Sequence, residues 1–193
     1  MNAKDSILIY GASSNDIDAS YKDAARQIGR LIAQRGLGVV CGGGRSGLMA
    51  AAIDGALEVG GRAVGVLPEF MVRNGWQHRA LTEMIVTADM HERKRTMASM
   101  SIAAIALPGG CGTLEELMEI ITWRQLGLYA GNVVIFNQNG YYDPLIEMLS
   151  RTISMGFMRG DHAALWSVAL TPDEAVAKAL AAPSVSQFTQ KID

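Results

Sequence analysis

Lysine, histidine and cysteine are all scarce in this 193-residue chain, and each shortage closes off a class of chemistry. The lysines are Lys4, Lys22, Lys94, Lys178 and Lys191. Schiff-base work with a pyridoxal-type cofactor needs such an amine, and only Lys94 falls in a stretch that looks functional. The histidines, His78, His91 and His162, are too scattered to suggest a metal site, and the two cysteines, Cys41 and Cys111, form no metal-ligand pattern. So few cysteines suit a reducing, cytoplasmic setting. Excess charge is missing too: the net charge is -2, which gives no electrostatic footprint for nucleic acid or an anionic membrane. No apolar run reaches the roughly 18 residues that span a bilayer. The opening "MNAKDSILIYGASS" lacks the length and cleavage pattern of a secretory signal.

Hydrophobic residues are abundant. At 49% hydrophobic and 19% charged, the chain can bury a sizeable core. Short apolar runs alternate with helix-length amphipathic segments. Strands are expected at 6–11, 37–41, 62–68, 83–88, 102–107, 132–137 and 167–170. Helices are expected at 15–36, 46–61, 89–101, 113–127, 142–156 and 171–181, with 69–81 as an irregular segment. Strands apolar throughout, separated by helices, imply a mainly parallel sheet covered on both faces. The expectation is an α/β, Rossmann-like, three-layer fold in one domain over 1–182, with a loosely ordered tail at 183–193.

Three glycine turns follow strands: "GASS" (11–14), "GGGRSGLM" (42–49) and "PGGCGT" (108–113). In a parallel sheet all three emerge on one edge, where such folds bind ligands. Glycine lets the backbone approach a ligand, and the following helix points free N–H groups and its positive end at it. Ser13, Ser14, Ser46 and Thr113 add hydroxyls. One such turn is as readily an ordinary connection; three together favour phosphate. No GxGxxG follows the first strand, and neither "GGGRSG" nor "GGCGT" carries the lysine of a P-loop.

Beside the third turn stand carboxylates, and a cationic run lies nearby. "MHERKRTM" places Arg93, Lys94 and Arg95 in the first turns of a helix, where the positive helix end disfavours them unless an anion is near. On the helix after "PGGCGT", a 100° period groups Leu114, Leu117, Met118 and Ile121, with Glu116 nearly opposite beside Ile120 and Trp123. Two apolar stripes on one helix suggest that the second meets another copy of the chain. Glu115 and Glu119 read as a solvated or supporting pair, and Glu83 as a group that could face the site.

"GGGRSGLM", "MHERK" and "PGGCGTLEE", in this order, resemble the LOG ("lonely guy") family over nearly the whole chain. Its members hydrolyse cytokinin riboside 5'-monophosphates to free base and ribose 5-phosphate, form dimers or larger assemblies, and are often mislabelled lysine decarboxylases. The resemblance implies that the catalytic pair is Arg93 and Glu116. It further implies that Gly109, Gly110, Cys111, Gly112 and Thr113, with Gly43, Gly44 and Gly47, cradle the nucleotide. Ser14, Glu83, Lys94, Glu115 and Thr122 complete the expected substrate-binding set. The implied partners are a nucleoside 5'-monophosphate, prenylated or AMP, and a second copy of the chain. No metal or organic cofactor is called for. Cys111 and Ala50 depart from the family pattern, which more often has an aromatic and a glycine there. A non-catalytic nucleotide or molybdenum-cofactor carrier on the same fold is the competing expectation.

Overall fold

The computed structural model describes residues 5–182; the expected loose tail at 183–193 lies outside them. Seven strands form one all-parallel sheet: β1 (Ser6–Tyr10), β2 (Gly38–Cys41), β3 (Ala63–Pro68), β4 (Glu83–Thr87), β5 (Ser101–Ala106), β6 (Asn132–Phe136) and β7 (Ser167–Ala169). The helices are α1 (Ala19–Gln34), α2 (Gly47–Glu58), α3 (Glu69–Arg73), α4 (Met90–Ser99), α5 (Cys111–Gln125), α6 (Asp143–Ser154) and α7 (Pro172–Leu180). β1, β2 and β3 are buried along their whole length because helices cover both faces. Ile28 and Ile32 of α1, Leu48 and Ile53 of α2 and Val176 of α7 fill one side. Met97 of α4, Leu117, Ile120 and Ile121 of α5 and Leu149 of α6 fill the other.

The strand order is β4-β3-β2-β1-β5-β6-β7. The chain winds outward from β1 in both directions, so the order switches between β1 and β5, and a crevice opens past their carboxyl ends. Two features the sequence reading missed lie within or just past expected loops. α3 is a short helix in the 69–81 segment. After β6, Tyr141 donates through its hydroxyl to the Gly109 carbonyl (2.8 Å) and Tyr142 to that of Leu107 (2.7 Å), bracing the turn after β5.

One expectation about α5 fails. Its buried face is Thr113, Leu117, Ile120, Ile121 and Arg124, so Ile120 packs on the sheet and no second stripe of Glu116, Ile120 and Trp123 exists. Leu114 and Met118 are only partly buried. Among the described residues no helix is long and apolar enough to cross a membrane.

Candidate active site

A cavity of about 750 Å³ occupies the switch-point crevice. The loop after β1 contributes Gly11, Ala12, Ser13 and Ser14; the loop after β2 contributes Gly42, Gly44, Arg45 and Ser46; the start of α5 contributes Gly110, Gly112, Thr113, Glu115 and Glu116. Arg93 and Met90 of α4 enter from beside β3, with Leu67, Met71 and Trp76. The three glycine turns therefore meet in one place, and Arg93 and Glu116, separated by 23 positions in sequence, meet there too.

The N-cap of α5 is Gly110, which has no side chain to cap the first turn, so the helix start opens on the cavity without a capping acceptor. The start of α2 behaves differently. The Gly47 N–H donates to the Asn15 side chain (2.9 Å) and the Leu48 N–H to the Ala12 carbonyl (2.8 Å). Gly47 has φ +70, and a Cβ there would sit 2.2 Å from the Ala12 oxygen. Its role is to let two loops touch, and it does not line the cavity.

Arg93 is held from several sides. Its Nε donates to the Val66 carbonyl at 2.9 Å, and Nη1 lies 3.5 Å from Glu116 Oε1. The Arg93 and Glu116 side chains are only 8% and 12% exposed, so the pair is largely dry. Asp89 caps α4 by accepting from the Glu92 N–H at 2.7 Å, which fixes the turn carrying Arg93. Burial pushes the Glu116 carboxyl up to about 7, with Arg93 pulling the other way. Tyr10, buried below, is also driven upward by burial and by the Glu116 charge.

Lys94 points elsewhere. It pairs with Glu115 and, at 3.1 Å, with Glu119, clamping α4 to α5. Burial lowers its pKa, but the two carboxylates outweigh that and hold the ammonium protonated. A Schiff-base lysine must lose that proton, so Lys94 does not suit a pyridoxal-type decarboxylase. Among the described residues no cluster of His, Cys, Asp and Glu could hold a metal.

Two expected contacts are displaced. Glu83 begins β4 at the far rim of the sheet, 3.6 Å from Arg62. Thr122 is exposed about three turns along α5, donating to the Met118 carbonyl at 2.8 Å. Cys111 is exposed and, like Gly43 and Gly109, does not line the cavity. Arg45, Met49, Leu67, Met71 and Met90 line it without having been expected there, and Trp76 of the 69–81 segment lines it with them. Arg45, Met49 and Met90 lay within quoted motifs; Leu67, Met71 and Trp76 come from separate segments that no local pattern links.

Residues 49–179 match the family model described as possible lysine decarboxylase. A cytokinin riboside 5'-monophosphate phosphoribohydrolase of Oryza sativa subsp. japonica is 40% identical over 173 residues, covering 89% of this chain and 71% of that protein. Another, of Arabidopsis thaliana, is 40% identical over 152 residues, covering 79% and 71%. The Moco carrier protein of Chlamydomonas reinhardtii superposes with a TM-score of 0.68 at 26% identity, covering 90% of this chain and 94% of that one. The molybdenum cofactor binding protein of Rippkaea orientalis, at 21% identity and a TM-score of 0.66, shows the fold alone.

Proposed function

The chain belongs to the family matched as possible lysine decarboxylase, the LOG family of phosphoribohydrolases, and from that premise we propose that it hydrolyses the N-glycosidic bond of cytokinin riboside 5'-monophosphates, of AMP, or of both. The observation that carries the reading is the dry Arg93–Glu116 pair in the same cavity as the uncapped start of α5. The helix start and Ser14 hold the 5'-phosphate, and Arg45 at the rim adds positive charge. Glu116 then lies beside the ribose. As the C1'–N bond breaks, positive charge grows on the sugar ring, and a carboxylate in a low-dielectric site stabilises it and orients water for attack at C1'. Arg93 keeps part of the Glu116 population ionised and steadies charge on the departing base. Water adds to C1', a proton goes to the base nitrogen, and the products are free base and ribose 5-phosphate.

The test is a chromatographic assay of isopentenyladenine riboside monophosphate, AMP and the unphosphorylated riboside. Base release from at least one monophosphate, and at least a hundredfold less from the riboside, is expected, since the lost phosphate contacts are charge-assisted. Equal activity on the riboside would remove the phosphate cradle. The likeness to Moco carriers favours a second reading, a binding protein without turnover; it predicts AMP binding with no adenine release.

The same reading includes a homodimer in the cytoplasm. The surface that supports self-association is the end of α5, where Leu126 and Leu128 are 57% and 71% exposed beside a second cavity lined by Ile102, Trp123 and Tyr129. Leu128→Asp is expected to reduce the mass seen by light scattering to that of a monomer. An unchanged mass would place the interface elsewhere.

A further inference from the structure

We propose that Trp76 selects the base, taking a flat aromatic heterocycle by stacking and not by hydrogen bonds to its edge; this rests on the nucleotide reading above. The rim of the sheet sets a direction. The anion end of the cavity lies past β1 and β5, at Ser14 and the start of α5. Arg93 reaches across Gly42, after β2, to the Val66 carbonyl of β3. Beyond it, on the β3 side, the lining is Leu67, Met71, Trp76 and Met90. A nucleotide laid with its phosphate at α5 and its sugar at Glu116 has only this apolar end left for its base.

Trp76 is built into that end. Its backbone N–H donates to the Met71 carbonyl at 3.1 Å, and its carbonyl accepts from the Arg45 backbone N–H at 2.9 Å. Gln77 bridges antiparallel to Gly44, and the His78 N–H donates to the Gly43 carbonyl at 2.8 Å. The His78 ring meets Asp54 of α2 at 3.0 Å, and Phe70 packs edge-on to the indole with centroids 6.3 Å apart. The backbone is pinned to the glycine turn, yet the residue remains 47% exposed and lines the cavity. A large aromatic held rigidly and left uncovered gains most from a planar partner. Its neighbours Leu67, Met71 and Met90 carry thioethers or hydrocarbon, which follow shape without donating to or strongly accepting from a base edge.

The experiment measures equilibrium binding of AMP, UMP and ribose 5-phosphate by titration calorimetry to a Trp76 parent, Trp76→Ala and Trp76→Phe, each carrying Glu116→Gln so that turnover during the titration is slight. Trp76→Ala is expected to weaken AMP about tenfold, UMP less, and ribose 5-phosphate less than twofold, with Trp76→Phe restoring most of the loss. In the active background the same change raises KM for AMP more than it lowers kcat. Equal weakening of AMP and ribose 5-phosphate would show that Trp76 only shapes the loop and would overturn the proposal. Unchanged AMP affinity would overturn it as well, leaving the nucleotide reading standing. If the Trp76 parent binds neither AMP nor ribose 5-phosphate, the nucleotide reading falls and takes this one with it.

Discussion

Replacing Glu116 by glutamine is expected to lower base release from a riboside monophosphate by about a hundredfold to a thousandfold, the usual cost of removing one preorganised electrostatic group. Ribose 5-phosphate affinity should stay within about threefold, because phosphate contacts position the substrate and are shared by ground and transition states. Glutamine keeps the shape and an oxygen near Arg93 Nη1, so the pocket survives; it cannot carry the negative charge that faces the sugar. Single-turnover base release and calorimetry on the same preparation separate the two effects. A variant that retains near-normal turnover would show that another group meets the developing charge.

The ionisation of Glu116 extends that prediction to pH. Its carboxyl sits at about 7 because burial disfavours the charge and Arg93 only partly offsets it. If the carboxylate is the working form, kcat/KM of the wild type falls about tenfold per pH unit below that value and levels off above it. The glutamine variant lacks this acid limb. Stability runs the other way. The folded-state pKa is raised above the ordinary 4.5, so the folded protein holds a proton that the unfolded chain has released between 4.5 and about 7. Wild-type stability therefore declines as pH rises through that window, and the penalty is complete above it. A site whose activity grows where its fold weakens is what a buried working carboxylate produces. Thermal denaturation scans across the window check the sign: a wild-type midpoint that rose from pH 5 to 7 relative to the glutamine variant would contradict it.

The strands and their parallel order were legible because β1, β2 and β3 are apolar at every position but Ser6, a pattern that a doubly covered sheet satisfies. Glycine turns at strand ends then placed the site edge. α5 was harder. Its true buried arc, Thr113, Leu117, Ile120, Ile121 and Arg124, contains an arginine whose guanidinium donates to the Gly131 carbonyl at 3.0 Å. That buried cation hid the full width of the stripe, and grouping Ile120 and Trp123 with Glu116 suggested a second one, whereas Leu114, Met118 and Trp123 all pack partly buried against the same core. Glu83 misled because it follows the 69–81 segment closely in sequence; a parallel topology carries the start of β4 to the opposite rim. Gly47 has the residue type of a phosphate cradle, but the Asn15 side chain already takes its amide. The apolar end of the cavity draws on β3, α3, the following loop and α4, a conjunction that only the folded chain creates.

Gly42→Ala is the second large effect. A methyl at this position would lie 1.8 Å from Arg93 Nη2 and 3.2 Å from the Met49 sulfur. The obstructed atom is the tip of a flexible side chain, so the backbone need not rearrange and the protein should still fold. The guanidinium has little room to yield, since Nε is tied to the Val66 carbonyl and the side chain is 8% exposed. It must swing off the methyl and away from Glu116, and displacement of a catalytic group by about 1 Å can cost about a hundredfold in rate. Gly42→Ala is thus expected to reproduce most of the loss caused by Arg93→Ala. The two changes act through the same group, so the double variant should be no slower than Arg93→Ala alone. Losses that multiply in the double variant would mean that Gly42 serves the site by another route, such as direct approach of its backbone to the substrate. Full activity in Gly42→Ala would mean that Arg93 can leave its present seat without consequence, and its catalytic assignment would not stand.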